Sequence, residues 1–264
     1  MNRAAVCGGP VHGRRGSGVL RRILYEEVDM YEFTSRVRYS EIGQNGNMRL
    51  SAIAARMQDC CVFHSEAIGC GPLQWMISHQ GWIILSWQIV VHRYPKFGDA
   101  VTTRTWTYRF HICEGDRAFA MYAADGQLLA EANTRWAWYD LAERKLLRVP
   151  AEQVEGYGME AKPEGLSAPR KIALPEEEPV ECESFHVVRT NLDTNQHVNN
   201  LQYIDMALGF LPAGFHVREL RVEYARQMRL GDLVRPLTWR TPDAFYVSLA
   251  DSEGTPCAIC EFMI

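Results

Sequence analysis

Asp193, Asn195 and His197 occupy alternate positions in RTNLDTNQHVNN (189–200), and the apolar segment LQYIDMALGFL follows at once. In extended chain such a row points to one side, which would place a carboxylate, an amide and an imidazole on a single wall. Asn199 stands where it can N-cap the helix predicted by the apolar segment, with Gln202 three residues on as in a capping box. The start of a helix offers free N–H groups and a partial positive charge, an arrangement that stabilises a carbonyl oxygen becoming an oxyanion. An imidazole beside it can take and return a proton, with Asp193 or Asn195 fixing its tautomer. An oriented base next to an oxyanion site suits hydrolysis of an activated acyl group. Turn and cap chemistry alone would also account for Asp and Asn before a helix.

A second version of the loop separates these readings. YSEIGQNGNMRLSAI (39–53) aligns with RTNLDTNQHVNNLQY (189–203), so that Asn45 matches Asn195 while Gly43 and Asn47 stand where Asp193 and His197 do. Titratable groups in one copy only favour function over structure. The repeat continues: RYPKFGDAVTTRTW (93–106) and RQMRLGDLVRPLTW (226–239) share six of fourteen residues without gaps, including Gly98/Gly231, Asp99/Asp232 and Trp106/Trp239. Each half predicts a strand, a polar loop, a helix and several long antiparallel strands joined by Gly/Asp turns, an α+β class. Leu50, Ile53, Ala54, Met57, Cys61 and Ile68 recur at helical spacing in the first half, and Leu201, Ile204, Leu208 and Leu211 in the second.

The expected organisation is a first half over 30–150, a linker over 151–180 and a second half over 181–264. Residues 150–179 carry five of the chain's twelve prolines and the acid run Glu176–Glu178. The second half alone is small and is expected to share a sheet with the first. Residues 1–29, with five arginines and no acid before Glu26, read as a disordered extension or as sequence upstream of a working start at Met30.

The net charge of −4 argues against strong nucleic-acid binding. No apolar run reaches the roughly 20 residues that span a bilayer. Eight cysteines without a secretory signal or a paired ligand set read as packed thiols in a reducing bacterial cytoplasm, with no metal site.

NLDTNQHVNNLQYID closely resembles the active-site segment of the acyl-[acyl carrier protein] thioesterases of plant plastids and bacteria, and EYARQM (223–228) resembles that family's Glu-Tyr-x-Arg-Glu-Cys segment. The resemblance runs over residues 31–264 and includes WYDLAERKLLR (138–148). It implies a tandem hotdog fold, each half a sheet wrapped around a helix. It also implies hydrolysis of fatty acyl-[acyl carrier protein] to free fatty acid, with catalytic Asp193, Asn195 and His197. Gln227 stands in place of the family's glutamate and Met228 in place of its cysteine. A methionine forms no thiolate, so the expected route is attack by water, with His197 or Asp193 as base and Gln227 holding the water or a partner. Glu223 is a weaker candidate for the missing carboxylate.

The same resemblance places the acyl chain in the first half, where Ile53, Met57, Cys61, Trp82 and Trp87 are candidate lining residues. The carrier and its phosphopantetheine arm would dock on Arg226 and Arg229 or on Arg144 and Lys145. No cofactor is needed. A single chain already supplies a hotdog pair, and a homodimer remains open. The rival readings are a non-catalytic acyl-thioester-binding module, an acyl-CoA thioesterase and a hotdog dehydratase, whose motif order fits less well.

Overall fold

The computed structural model describes residues 30–166 and 169–264, so the reading of residues 1–29 falls outside the described residues. Among the described residues, twelve strands form one antiparallel sheet. In the first half these are β1 (Met30–Arg36), β2 (Gln80–Val91), β3 (Ala100–His111), β4 (Glu114–Ala123), β5 (Leu128–Asp140) and β6 (Lys145–Leu146). In the second they are β7 (Val180–Glu181), β8 (Phe185–His186), β9 (Glu219–Tyr224), β10 (Leu233–Arg240), β11 (Ala244–Ala250) and β12 (Pro256–Met263). The helices are α1 (Leu50–Ala67), α2 (Pro72–Ser78), α3 (Ala151–Tyr157) and α4 (Asn200–Leu208).

The main strand order is β1-β3-β4-β5-β2-β9-β12-β11-β10-β7, a palindrome of the two halves about the β2–β9 junction. There Ser86 pairs with Glu223 and Val90 with Glu219, so the halves share main-chain hydrogen bonds. Strand β3 shows how the sequence builds one buried face. Val101, Thr103, Thr105 and Thr107 are buried, and the residues between them are half-exposed, the period-2 pattern of a sheet covered on one side. Against that face α1 buries Ile53, Ala54, Met57 and Cys60, and α4 buries Tyr203, Ile204 and Ala207.

The repeated residues do the same work twice. Gly98 and Gly231 both take φ +84°, which costs glycine nothing and an L side chain a good deal. Asp99 Oδ2 accepts the Lys96 N–H at 2.9 Å, and Asp232 Oδ2 accepts that of Arg229 at 2.7 Å. The Trp106 and Trp239 indoles donate to carbonyls of the connecting segment, Ala161 at 2.9 Å and Glu177 at 2.8 Å.

That connecting segment is more than a tether. It opens with α3, whose Gln153 and Tyr157 are buried, and the Tyr157 hydroxyl bonds Ser65 on α1 at 2.8 Å. Further on, the Glu223 carboxylate accepts hydrogen bonds from Lys171 Nζ at 2.6 Å and the Ile172 N–H at 3.0 Å. Glu223 therefore serves to fasten the segment to β9. The strand ends at Tyr224, so Glu223 and Gln227 do not share a strand face, and the carboxylate is turned away from the loop it was expected to serve.

Candidate active site

The loop before α4 departs from the extended row. Leu192 and Val198 form an isolated antiparallel bridge, and the chain between them turns back on itself, with Asp193 N–H donating to the His197 carbonyl at 2.8 Å. Asp193 Oδ1 accepts the N–H groups of Asn195 at 2.8 Å and His197 at 3.2 Å. Short acidic and amide side chains capture nearby backbone donors in this way, and the resulting turn displaces the extended conformation. The carboxylate is thus the loop's framework rather than one member of a flat wall.

The first copy builds the same turn with different side chains. Ile42 bridges Met48, Gly43 N–H donates to the Asn47 carbonyl at 2.8 Å, and Asn45 Oδ1 accepts the Asn47 N–H at 3.1 Å. Gly46 takes φ +75° where Gln196 takes φ +61°. A left-handed conformation is uncommon for a non-glycine residue and is worth inspecting wherever it occurs beside a candidate site.

His197 is half-buried, and its Nδ1 is fully shielded with no hydrogen-bond partner among the described residues. A buried nitrogen left unpaired costs about 1–3 kcal/mol, so its placement calls for an explanation beyond packing. Asn195 is exposed and Asp193 half-buried. Asn199 caps α4 as expected, its side chain accepting the Leu201 N–H at 3.0 Å. Gln202 does not close a capping box; its Oε1 accepts from Asn191 Nδ2 at 2.9 Å and ties the helix to the preceding 3-10 turn.

The segment 225–229 packs beside this loop. Val198 N–H donates to the Met228 carbonyl at 2.9 Å, and Met228 N–H donates to the buried Tyr203 hydroxyl at 3.0 Å. Met228 is itself buried, whereas Gln227 is exposed. The nearby Cys257 thiol is pushed up to about 11 by burial, which keeps it protonated and a poor nucleophile. Arg226 and Arg229 are exposed on either side of Gln227, Arg226 bonding Asp251 at 3.1 Å. Arg144 and Lys145 are exposed beyond the end of β5. The strand registers put both pairs past the same end of the sheet, where β2 begins and β5 and β9 finish.

Two concavities stand out among the described residues. A polar cleft of 710 Å³, counting its solvent mouth, lies between α1 and α4. It is lined by matching residues of the two copies: Arg49 and Asn199, Ser51 and Leu201, Ala52 and Gln202, Ala55 and Asp205. A narrower, mostly apolar crevice of 320 Å³, again counting its solvent mouth, lies in the first half under the end of the sheet that carries Trp82 and Trp136. Of the residues expected to line an acyl pocket, Cys61 and Trp82 line this cavity. Ile53, Met57 and Trp87 line neither space and belong to the core. Leu192 and Asn199 reach the cleft; His197 lines neither concavity. Sequence reading missed Ser65, Trp75, Phe110, Arg117 and Tyr157 in the apolar cavity. The alternation of β4 already pointed Arg117 inward.

A palindromic sheet with one helix against each half defines a pair of tandem hotdog domains. Family models assign residues 28–157 to the acyl-ACP thioesterase N-terminal domain and 175–253 to its C-terminal domain, and the chain belongs to this family. It is 27% identical over 258 residues to oleoyl-acyl carrier protein thioesterase 2, chloroplastic, of Arabidopsis thaliana, covering 88% of this chain and 69% of that one. It is 25% identical to the palmitoyl-acyl carrier protein thioesterase, chloroplastic, of Gossypium hirsutum, covering 76% of this chain and 53% of the relative. Among solved structures, an acyl-ACP thioesterase from Bacteroides thetaiotaomicron superposes with TM-score 0.81 at 19% identity, covering 89% of this chain and 97% of that one. The 12:0-ACP thioesterase of Umbellularia californica gives 0.77 at 20% identity, covering 89% and 96%; both show the shared fold. No helix among the described residues is long and apolar enough to cross a membrane.

Proposed function

We propose that this chain hydrolyses the thioester of fatty acyl-[acyl carrier protein], releasing a free carboxylic acid and the carrier's thiol. The observation that carries the reading is His197: a titratable ring with a shielded, unpartnered nitrogen, present in one loop of a duplicated pair whose other loop holds Asn47. In this reading His197 takes a proton from water as the oxygen attacks the carbonyl carbon. The C–S bond then breaks and the proton passes to the departing sulfur. Asp193 holds the loop through its two N–H bonds, so we assign it a positioning role. Asn195 and Gln227 orient water and thioester, and the start of α4 supplies positive potential to the developing oxyanion.

The exposed arginines 226 and 229 beside the loop are a docking surface for an acidic carrier, and Arg144 and Lys145 extend it at the same end of the sheet. The polar cleft suits the polar phosphopantetheine arm, and the apolar cavity suits the acyl chain. Both halves lie within one chain, so the site needs no second copy. All seven cysteines of the described residues are free thiols, in keeping with a cytoplasmic setting.

The test is release of free thiol from acyl-carrier thioesters and from matched acyl-CoA esters. Turnover of the carrier-bound substrates, with His197→Ala lowering kcat by about 10²–10⁴-fold, is the expected result. A His197→Ala protein that keeps most of its activity overturns the assignment. Tight acyl-carrier binding with no thiol released would make the chain a binding module.

A further inference from the structure

Two tyrosines join α4, the helix opened by the His197 loop, to the segment that carries Gln227. Tyr203, buried on α4, accepts the Met228 N–H at 3.0 Å and donates its own O–H toward the Arg226 carbonyl at 3.5 Å. Tyr224, at the end of β9, donates to the Asn200 carbonyl in the first turn of α4 at 2.9 Å. The two rings meet edge to face with centroids 5.9 Å apart. Burial pushes both phenols well above their ordinary ionisation range, so each stays a neutral donor and acceptor. From the other side Val198, next to His197, donates its N–H to the Met228 carbonyl at 2.9 Å. Met228 is thus held twice, by the residue after His197 and by the helix that follows it.

The first half builds the same junction without either hydroxyl. Pro95 aligns with Met228, and the Met48 N–H donates to the Pro95 carbonyl at 2.7 Å, the counterpart of the Val198–Met228 bond. Ile53 stands where Tyr203 does, and Val91 where Tyr224 does. A proline fixes its own φ and has no amide hydrogen to satisfy, so Ile53 need supply nothing. At Met228 that ring is missing: the backbone is freer, and a buried N–H needs an acceptor. The Tyr203 hydroxyl meets both needs, in the one copy that carries His197 and Gln227.

We infer that Tyr203 is a positioning residue for thioester hydrolysis: by tethering Met228 it holds Gln227 at a fixed spacing from His197, with Tyr224 bracing the start of α4. This rests on the proposed thioesterase reading and on the role given there to Gln227. Gln227 is exposed, so the bonds of its neighbours set its place, Arg226 N–H to the Cys257 carbonyl at 3.1 Å and Met228 N–H to Tyr203. Its amide orients water and thioester only while that spacing is kept, and a displacement of about 1 Å in such a site can cost a hundredfold. Losing one neutral hydrogen bond permits excursions rather than a lasting shift, and the expected fall in rate is about tenfold.

The experiment measures thiol release from a fatty acyl-carrier thioester by wild type, Tyr203→Phe, Gln227→Ala and the double variant. Tyr203→Phe keeps the ring and removes only the hydroxyl; kcat is expected to fall about tenfold with KM within about twofold. The double-mutant cycle separates positioning from stability. If Tyr203 acts through Gln227, the double variant has a kcat within about twofold of Gln227→Ala. Losses that multiply overturn the inference and leave the thioesterase reading intact, as does wild-type kcat in either single variant. Backbone amide exchange on wild type needs no variant to fold: the Met228 amide should exchange as slowly as that of Val198, and one that exchanges like an exposed loop amide would also overturn the inference. A wild type that releases no thiol from carrier or CoA esters fails the thioesterase reading itself. The tether is then judged on Met228 exchange alone, which Tyr203→Phe should quicken by at least about tenfold.

Discussion

Substituting Asp193 in two ways separates a loop-building carboxylate from a proton-transferring one. Its Oδ1 accepts the N–H groups of Asn195 and His197 at 2.8 and 3.2 Å. Hydrogen bonds to a charged acceptor contribute about 1.5–3 kcal/mol each when well shielded. The residue is half-buried and Asn195 exposed, so solvent screening brings the pair to about 2 kcal/mol together. Asp193→Ala removes both bonds and frees the turn that aims His197. At 1.36 kcal/mol per decade, kcat/KM falls about 30-fold. Asp193→Asn keeps an acceptor oxygen of the same shape but not the charge, so about 1 kcal/mol is lost and the fall is about fivefold. A base, or a charge that stabilises an imidazolium, has no amide substitute, and its loss would cost three decades or more. The assay is thiol release from an acyl-carrier thioester, with circular dichroism confirming the fold. If Asp193→Asn is as inactive as His197→Ala, the positioning role is wrong and the carboxylate belongs in the chemistry.

Two further outcomes follow from residues outside the loop. Glu223→Ala strands the Ile172 N–H that its carboxylate accepts, so urea titration should show a loss of about 1–3 kcal/mol with kcat within twofold of wild type; a collapse of kcat at unchanged stability would return Glu223 to the active site. For Asp116, burial alone would raise the carboxyl, but hydrogen bonds from Arg109 and Arg135 outweigh it and hold the group below its ordinary value. A depressed folded-state pKa stabilises above the unfolded value near 4 and ceases to do so as pH falls through the folded value. Asp116→Asn should therefore melt lower than wild type at pH 7, with the gap closing in acid; a gap that widens in acid would contradict the assignment.

The elements were legible because their causes are local. Glycines at positive φ, aspartates that accept a turn N–H and tryptophans that anchor the connecting segment recur at corresponding positions, since each half must solve the same backbone problem. The site was legible in composition but not in shape. DTNQH was read with period 2, as though the chain were extended, yet Asp193 satisfies two backbone donors and folds the stretch into a turn. Side-chain capture of the main chain cannot be seen in periodicity. Glu223 was misplaced for a related reason: its partners at Lys171 and Ile172 come from a segment about 50 residues away. Arg117 was missed although the β4 pattern holds it in register with Phe119 and Met121, because a charged residue in a strand is ordinarily a solvated one.

The two loops meet one backbone requirement at different cost. Both make the same bridge and the same reversal, the first with the Asn45 amide as acceptor and the second with the Asp193 carboxylate, so the turn itself calls for no imidazole. The first meets the left-handed position with Gly46, at no steric cost, whereas the second puts Gln196 there at φ +61°. The second copy thus bears both the backbone strain and the unpaired His197 nitrogen, two costs that its twin shows to be avoidable. A loop that keeps avoidable costs in one copy only is accounted for by a task performed in that copy. The β2–β9 junction then explains why the relaxed copy is retained: it supplies the other half of the sheet, and with it the cavity that faces the strained loop's end of the molecule.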